Sequence, residues 1–415
     1  MNLAEGELAG QTTLGSLCSI NPSKPLVRDV DDDTPVLFVP MAALDDETGA
    51  ITAPVVRRLG EVRTKSYTTF TSGDVLFAKI TPCMENGKSA IVPPIPSGLG
   101  FGSTEFHVLR PNPGIDARLI WHFVRQVGFR QEARDHMTGS VGQARVPKAF
   151  VEESRIQIPS GSSQSLLADL LDSTVERAQS GAMHLQTART AVERFERAVR
   201  IAASDGRLTS SWRVSMGRTD ESPGQPAGWV STTIGEIAEC LDSMRKPVNS
   251  IERGKRVGEV PYYGANGQVG WIDTPIFDEE LVLVVEDETF TGRTKPFSYR
   301  ISGPAWVNNH AHVLRPRGEM SADTLNTLLS YYNFVPLTSG TTGRRKLNKS
   351  ALLTASLVVP PPEEQIQISL LLHQVDLLIA DVLRRLQAAH RSIERSAESV
   401  LAKAFRGELT QKDPS

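Results

Sequence analysis

The chain has 415 residues, 40% of them apolar and 22% charged, with a formal net charge of -3. That balance excludes wholesale disorder, collagen-like repeats and a protein that coats nucleic acid through bulk charge, and the length leaves room for two or three cores. Cys18, Cys83 and Cys240 are the three cysteines and have no metal-like spacing, which argues against a disulfide framework or a zinc site and fits a reducing compartment.

The opening MNLAEGELAGQTTLG lacks the basic start and apolar run of a signal peptide. No stretch reads as the roughly 18 to 20 apolar residues that span a bilayer, so a cytoplasmic chain without a membrane partner is expected. After the short amphipathic TTLGSLCSI come VLFVP, DVLFAKI and SAIVP, runs of Val, Ile and Phe bounded by Gly, Pro or Asp, which is the pattern of strands. FHVLRP (106–111) follows, then a helical segment, the glycine loop GSVGQAR (139–145) and RIQIP. From Leu167 an apolar track steps by four and three through Leu171, Leu185, Val192, Phe195 and Val199 to Ala202. This predicts a long helix carrying a heptad stripe. VSMGRTDESPGQPAG (214–228) has the composition of an exposed connector.

The same series then runs again. TTIGEIAEC (232–240) matches TTLGSLCSI, AHVLRP (311–316) matches FHVLRP, and GTTGRRK (340–346) matches GSVGQAR. LVLVV and AWVNNHAHVL read as strands. A second stripe passes through Ile368, Leu372, Val375, Ile379, Val382, Leu386, Ile393, Ser396 and Val400. Gly206 in SDGRLT falls on Gly407 in FRGELT, 201 positions on. Both glycines suit helix C-caps, where a left-handed residue is needed, and Pro362 and Glu363 suit a helix start. The first copy has SGSSQSLLADLLD where the second has PPPEEQIQISLLLHQ, although Gln164 falls on Gln365.

Two helices of about 40 residues would each be about 60 Å long, and each can bury its stripe against the other. The expected fold class is α+β: two mixed, mainly β domains in a pseudo-two-fold arrangement, separated by two long antiparallel coiled-coil helices. The expected boundaries are 1–160 and 230–360 for the β domains, 161–213 and 361–410 for the helical regions, 214–229 for the linker and 411–415 for a tail.

GDVLFAKITPCMENGKSAIV (73–92), GSVGQARVP (139–147), FERAVRIAASDGRLTSSW (195–212), PPPEEQIQI (360–368) and LAKAFRGELT (401–410) occur in this order on a duplicated frame. In that combination the chain resembles the specificity subunit of type I restriction-modification systems. The resemblance implies two target-recognition domains that each read half of a split DNA sequence, with the helices as spacer. It implies double-stranded DNA, two modification (methyltransferase) subunits and restriction/translocase subunits as partners. It also implies no catalysis and no cofactor or metal in this chain; S-adenosylmethionine belongs to the modification subunits, and ATP and Mg to the restriction subunits.

Candidate DNA-binding residues in the first body are Lys79, Thr81, Glu85, Asn86 and Lys88, beyond the strand DVLFAKI, where an Asn or Lys at a strand edge can read base edges. The same residues also read as a polar hairpin turned by Asn-Gly. In GSVGQAR, Ser140 and two glycines allow close approach to a phosphate, while Gln143 and Arg145 can read or neutralise. The counterpart TSGTTGRRKLNK (338–349) brings Ser339, Thr342, Arg344, Arg345, Lys346 and Lys349 with no acid among them. The second body adds Tyr263, Asn266, Thr291, Arg293, Lys295, Asn308, Asn309 and His310. The loops differ between copies, so the implied target is asymmetric. His107 and His312, at matching places in HVLRP, read as structural; Cys83 has no partner motif for a nucleophile; Glu286, Asp287 and Glu288 read as a solvated turn. Two alternatives stay open: a noncatalytic coiled-coil adaptor of another defence complex, and a self-contained DNA-modifying enzyme, for which the NPPY and DPPY tetrapeptides are missing from the sequence.

Overall fold

A computed structural model describes residues 11–24, 29–140, 142–220, 225–288, 290–341 and 344–409. It contains both helices and sheets, with a long helix near the C-terminus. The chain divides into two compact units, one of residues 1–185 with 387–415 and the other of residues 186–386. Each long helix is shared between the units.

In the first unit, Cys18–Ile20, Phe106–Pro111, Val75–Ala78 and Ser89–Ile91 form an antiparallel sheet in that order. A second sheet runs Val55–Arg58, Pro35–Val39, Gly100–Gly102, Thr68–Phe70, and its middle pair is parallel. The second unit repeats both arrangements. Its first sheet runs Ala238–Cys240, Ala311–Pro316, Leu281–Val285, Ser298–Ile301. Its second runs Gly267–Ile272, Val260–Gly264, Pro304–Val307, Phe277–Asp278, again with the middle pair parallel.

The unbroken apolar runs follow from this layering. Val75 and Phe77 face the core that contains the helix ends, while Leu76 faces the core beneath the second sheet. Val282 and Val284 divide from Leu281 and Leu283 in the same way. A strand buried on both faces has no polar side to show. Each body is closed by its own ends. Thr12–Thr13 pairs with Arg155–Ile156, and Val230–Thr233 pairs with Ser356–Val359.

The long helices are Ser163–Ser204 and Pro362–Phe405. In the first unit Leu167 and Leu171, near the start of one, share a core with Ala404 and Phe405, at the end of the other. In the second unit Ala203 shares a core with Ile368 and Leu372. Within each unit the body, the start of one long helix and the end of the other therefore share one core.

The expected stripe needs one correction. Leu171, Leu372 and Ile379 are buried and Leu185, Val192, Val199, Val375, Val382, Leu386, Ile393 and Val400 half-buried, but Phe195 is 50% exposed. After Val192 the half-buried positions continue at Glu196 and Val199, a step of four where the heptad track takes three. Ser396, which falls on Phe195 in the repeat, is exposed too, and Ala397 takes its place. Between Val192 and Val199 the order of the three- and four-residue steps is exchanged, so the stripe returns to its expected register at Val199.

A second correction concerns apolar length. The helix Pro362–Phe405 holds an 18-residue stretch apolar enough, by length and composition, to cross a membrane. Beside the inward Ile368, Leu372 and Ile379 it exposes Ile366, Leu370, Leu377 and Leu378, so the apolar residues surround the helix and the sequence stripe was only one side of them.

Gly206 (φ 80°) and Gly407 (φ 74°) are left-handed and buried. A Cβ on Gly206 would lie 2.4 Å from Pro226 Cγ, and on Gly407 2.7 Å from the Gln157 side chain. Gln164 and Gln365 are both buried; Gln164 Oε1 accepts from Asp116 N at 2.9 Å, and Gln365 Nε2 donates to Pro360 O at 3.1 Å.

The helix opening present in one copy has its own role. Glu364 is fully buried and accepts from Arg213 Nη1 at 2.6 Å and from Thr209 Oγ1 at 2.6 Å. Arg213, 1% exposed, also donates to Gly206 O at 2.8 Å and pairs with Asp220 at 2.9 Å. The pair fastens the segment after the first long helix to the start of the second. Glu364→Ala would leave a buried guanidinium half-neutralised, and the expected loss of about 3–5 kcal/mol is to be read from urea unfolding of the full chain.

Candidate nucleic-acid interface

The glycine loop and the segment after DVLFAKI, distant in sequence, lie side by side. Thr138 and Arg145 exchange backbone hydrogen bonds of 3.0 and 2.8 Å, which makes GSVGQAR a tight hairpin with Ser140 and Gln143 exposed. The hairpin is laid on the continuation of Val75–Ala78: Val146 N donates to Lys79 O at 2.8 Å and Thr81 N to Ala144 O at 3.1 Å. Gly139 has φ 127° and Gly142 φ 83°, conformations that L side chains rarely adopt.

Around this junction Arg145 clamps Glu105 through two bonds of 2.9 and 2.8 Å. The guanidinium holds the Glu105 carboxyl below its ordinary range, with Lys79 adding to the effect. The other candidates are anchored within the loop. Thr81 Oγ1 donates to Glu85, Glu85 O accepts from Arg130 at 2.6 Å, and Lys88 Nζ donates to Leu44 O at 2.7 Å. Asn86 is exposed.

The second unit builds the same junction from different residues. Thr338–Thr341 pairs with Arg344–Leu347, which in turn pairs with Asp287–Glu288, and Leu347 N donates to Glu286 O at 2.8 Å. This corrects the expected solvated turn at Glu286, Asp287 and Glu288. Asp287–Glu288 is a strand, and Glu286 is 7% exposed. Cations make its burial tolerable: Glu286 pairs with Arg245 at 2.6 Å and Lys346 at 3.0 Å, and Asp287 bonds His310 Nδ1 at 2.6 Å.

From there the contacts pass on. Asn308 Oδ1 accepts from His310 N at 2.8 Å, Asn308 N donates to Tyr263 O at 3.0 Å, and Asn266 accepts from Arg293 Nη2 at 2.6 Å. Burial pulls the Arg293 guanidinium down from its ordinary value. Arg345 is turned inward onto Thr338, donating to its Oγ1 at 2.6 Å. Ser339, Lys346 and Lys349 are exposed, as are Thr291, Lys295 and Asn309. Thr342 and the side chain of Arg344 lie outside the described residues.

Superimposing the strand registers pairs Lys79 with Glu286, Glu105 with His310 and Arg145 with Lys346. One backbone frame thus carries a cation where its repeat carries an acid. Beneath the junction, His107 Nε2 bonds Val146 O at 2.8 Å and His312 Nε2 bonds Leu347 O at 2.7 Å.

The partners Glu105, Asp242 and Arg245 were not singled out from the sequence; aligning the repeat by strand register would have found Glu105. Among the described residues Cys240, Asp242 and His312 each place a ligand-type atom within 4.8 Å of the others. Both His312 nitrogens are taken, however, by Leu347 O and Asp242, so a cation there would have to displace a hydrogen bond.

Residues 226–388 match the family model of the type I restriction modification DNA specificity domain. That stretch is similar to the DNA specificity domain of type I restriction-modification systems. Among curated relatives, the type I restriction enzyme EcoEI specificity subunit of Escherichia coli is 35% identical over 154 residues, 37% of this chain and 25% of the relative. The EcoAI specificity subunit of the same species is 37% identical over 150 residues, 36% of this chain and 25% of the relative. The matched stretch is thus about a quarter of either relative.

Two solved chains cover almost the whole protein at 20% identity and show its fold. One, from work on complex assembly and conformational transition of the type I R-M system, has a TM-score of 0.71 and covers 97% of this chain and 100% of its own. The HsdS subunit of Thermoanaerobacter tengcongensis has a TM-score of 0.59 and covers 96% of each. The junction described above for residues 281–288 and 338–347 lies inside the specificity-domain match, and the first unit repeats its frame.

Because Gly139 is left-handed and a Cβ there would sit 3.0 Å from Gln143 O, Gly139→Ala is expected to cost about 1–3 kcal/mol locally. Faster amide exchange confined to 138–146, with the cores unchanged, is the measurement that checks it.

Proposed function

We propose that the chain is the DNA sequence-specificity subunit of a type I restriction-modification system, recognising a bipartite, asymmetric target with one unit per half-site. The observation that carries this reading is the duplicated junction, where one frame presents a glycine-containing hairpin twice with different charged side chains. Conserved geometry with exchanged donors and acceptors suits two readers of different base sequences. The two long helices are the proposed spacer.

The proposal includes double-stranded DNA and two methyltransferase subunits as partners, restriction/translocase subunits beside them, and a cytoplasmic location. The chain itself is proposed to be noncatalytic, with S-adenosylmethionine used by the modification subunits and ATP and Mg by the restriction subunits. The candidate base and phosphate contacts with exposed side chains are Asn86, Ser140, Gln143, Thr291, Lys295, Asn309, Ser339 and Lys346. Arg145 and Arg345 hold the hairpins in their present pairing, and Arg145 reaches a phosphate only by releasing Glu105.

Footprinting of the complex reconstituted with modification subunits is expected to protect two short specific blocks separated by an unspecific spacer; one contiguous block would overturn the reading. Lys346→Ala is expected to lower the magnitude of the salt dependence of binding by about one phosphate contact, read as the slope of log affinity against log salt. An unchanged slope removes Lys346 from the interface.

A further inference from the structure

The two equivalent histidines beneath the hairpins make the same bond on one side and opposite bonds on the other. His107 Nε2 faces the Val146 carbonyl, and its Nδ1 faces Asn21 Nδ2 at 2.9 Å. The Asn21 amide is oriented by its Oδ1, which accepts from Val108 N at 2.9 Å. A neutral imidazole, donating from Nε2 and accepting at Nδ1, satisfies both contacts.

His312 Nε2 faces the Leu347 carbonyl, and its Nδ1 faces Asp242 Oδ2 at 2.6 Å. The other Asp242 oxygen accepts from Val313 N at 2.9 Å. Both neighbours of this ring are acceptors. Only the doubly protonated imidazolium can donate to both, so a neutral His312 must release either Asp242 or the hairpin.

The surroundings are built for the charged form. Glu286 lies 3.9 Å from Nδ1, and Arg245, which pairs with both Asp242 (3.2 Å) and Glu286 (2.6 Å), keeps the acids compensated. Lys346 faces Glu286 from the hairpin side, and the Cys240 thiol lies within the same group.

We propose that His312 is a positioning residue that, as an imidazolium held by Asp242, fixes the basic hairpin of the second unit through the Leu347 carbonyl, and that His107 makes the equivalent bond in the first unit as a neutral ring. The consequence is a pH-sensitive second half-site beside an insensitive first one. This rests on the reading of the hairpins as DNA contacts.

The direction of titration agrees with the geometry. Burial works against charge on both rings. For His107 burial prevails and holds the pKa below its ordinary value; for His312 the Asp242 carboxylate outweighs it and raises the pKa to about 9. A raised folded-state pKa stabilises fully below the unfolded value of 6.5, and that contribution is lost as pH rises through about 9.

Asp242→Asn gives the second unit the amide partner that the first already uses. Trypsin cleavage after Arg345 and Lys346 reports the hairpin, normalised at each pH to a free peptide of residues 338–349. For the full wild-type chain, cleavage is expected to accelerate about threefold or more between about pH 7 and about pH 9.5, while the rate after Arg145 stays level. In the Asp242→Asn chain the rise is expected to disappear. Equal rises in both chains, or at both hairpins, would overturn the proposal.

The binding arm uses the duplex that the wild-type chain enriches from a randomised pool, with each block scrambled in turn. Discrimination at one block alone is expected to fall at the higher pH in wild type and to hold in Asp242→Asn. If no duplex is enriched, the DNA reading fails while the cleavage arm still decides the role of His312.

Discussion

Neither long helix can keep its apolar stripe in water by itself, and that constraint organises the protein. Isolated helices gain little from their own hydrogen bonds, so the stripe must be covered. In each unit the covering is done by the other helix and by the body: Leu167 and Leu171 join Ala404 and Phe405 around Phe123, and Ala203 joins Ile368 and Leu372 beside Leu325. The helix ends are therefore part of the same cores that hold the strands, and Val146 and Leu347 of the hairpin junctions lie in those cores too.

Much of this was legible in the chain because it depends on local chemistry. HVLRP became the second strand of the first sheet in both units, the runs VLFA and LVLVV became strands buried on both faces, and the glycines near the helix ends took positive φ. What escaped were contacts between residues far apart in sequence. An acidic triplet reads as solvated unless one knows that Arg245, His310 and Lys346 are brought to it. Phe195 reads as a core position because a heptad template cannot show where a helix exchanges the order of its steps. Glu364 and Arg213, separated by 151 positions, carry no pattern that announces a buried pair. The exposed leucines of the second long helix escaped for a different reason: a stripe drawn along one side says nothing about the others.

The comparison of the two junctions separates what the frame needs from what it leaves free. The frame needs the strand-edge bonds, Val146 N to Lys79 O and Leu347 N to Glu286 O, and a histidine under the hairpin. It tolerates Lys or Glu, Glu or His, and Arg or Lys at the positions above. It also tolerates either an amide or a carboxylate behind the histidine, provided the remaining charges are rebalanced, as Arg245 does for Asp242 and Glu286. Backbone bonding and side-chain chemistry are thus decoupled at this junction.

The pairing of each body's first strand with its last has a further meaning. Where Val230–Thr233 runs against Ser356–Val359, the chain enters and leaves the body at neighbouring points, as it does at Thr12–Thr13 and Arg155–Ile156. A piece of chain with adjoining ends behaves as a cassette: its interior can lengthen, shorten or be replaced without asking the helices to change their path. Inheritance can then act on the two bodies separately, rewriting one while the other and the long helices stay as they were.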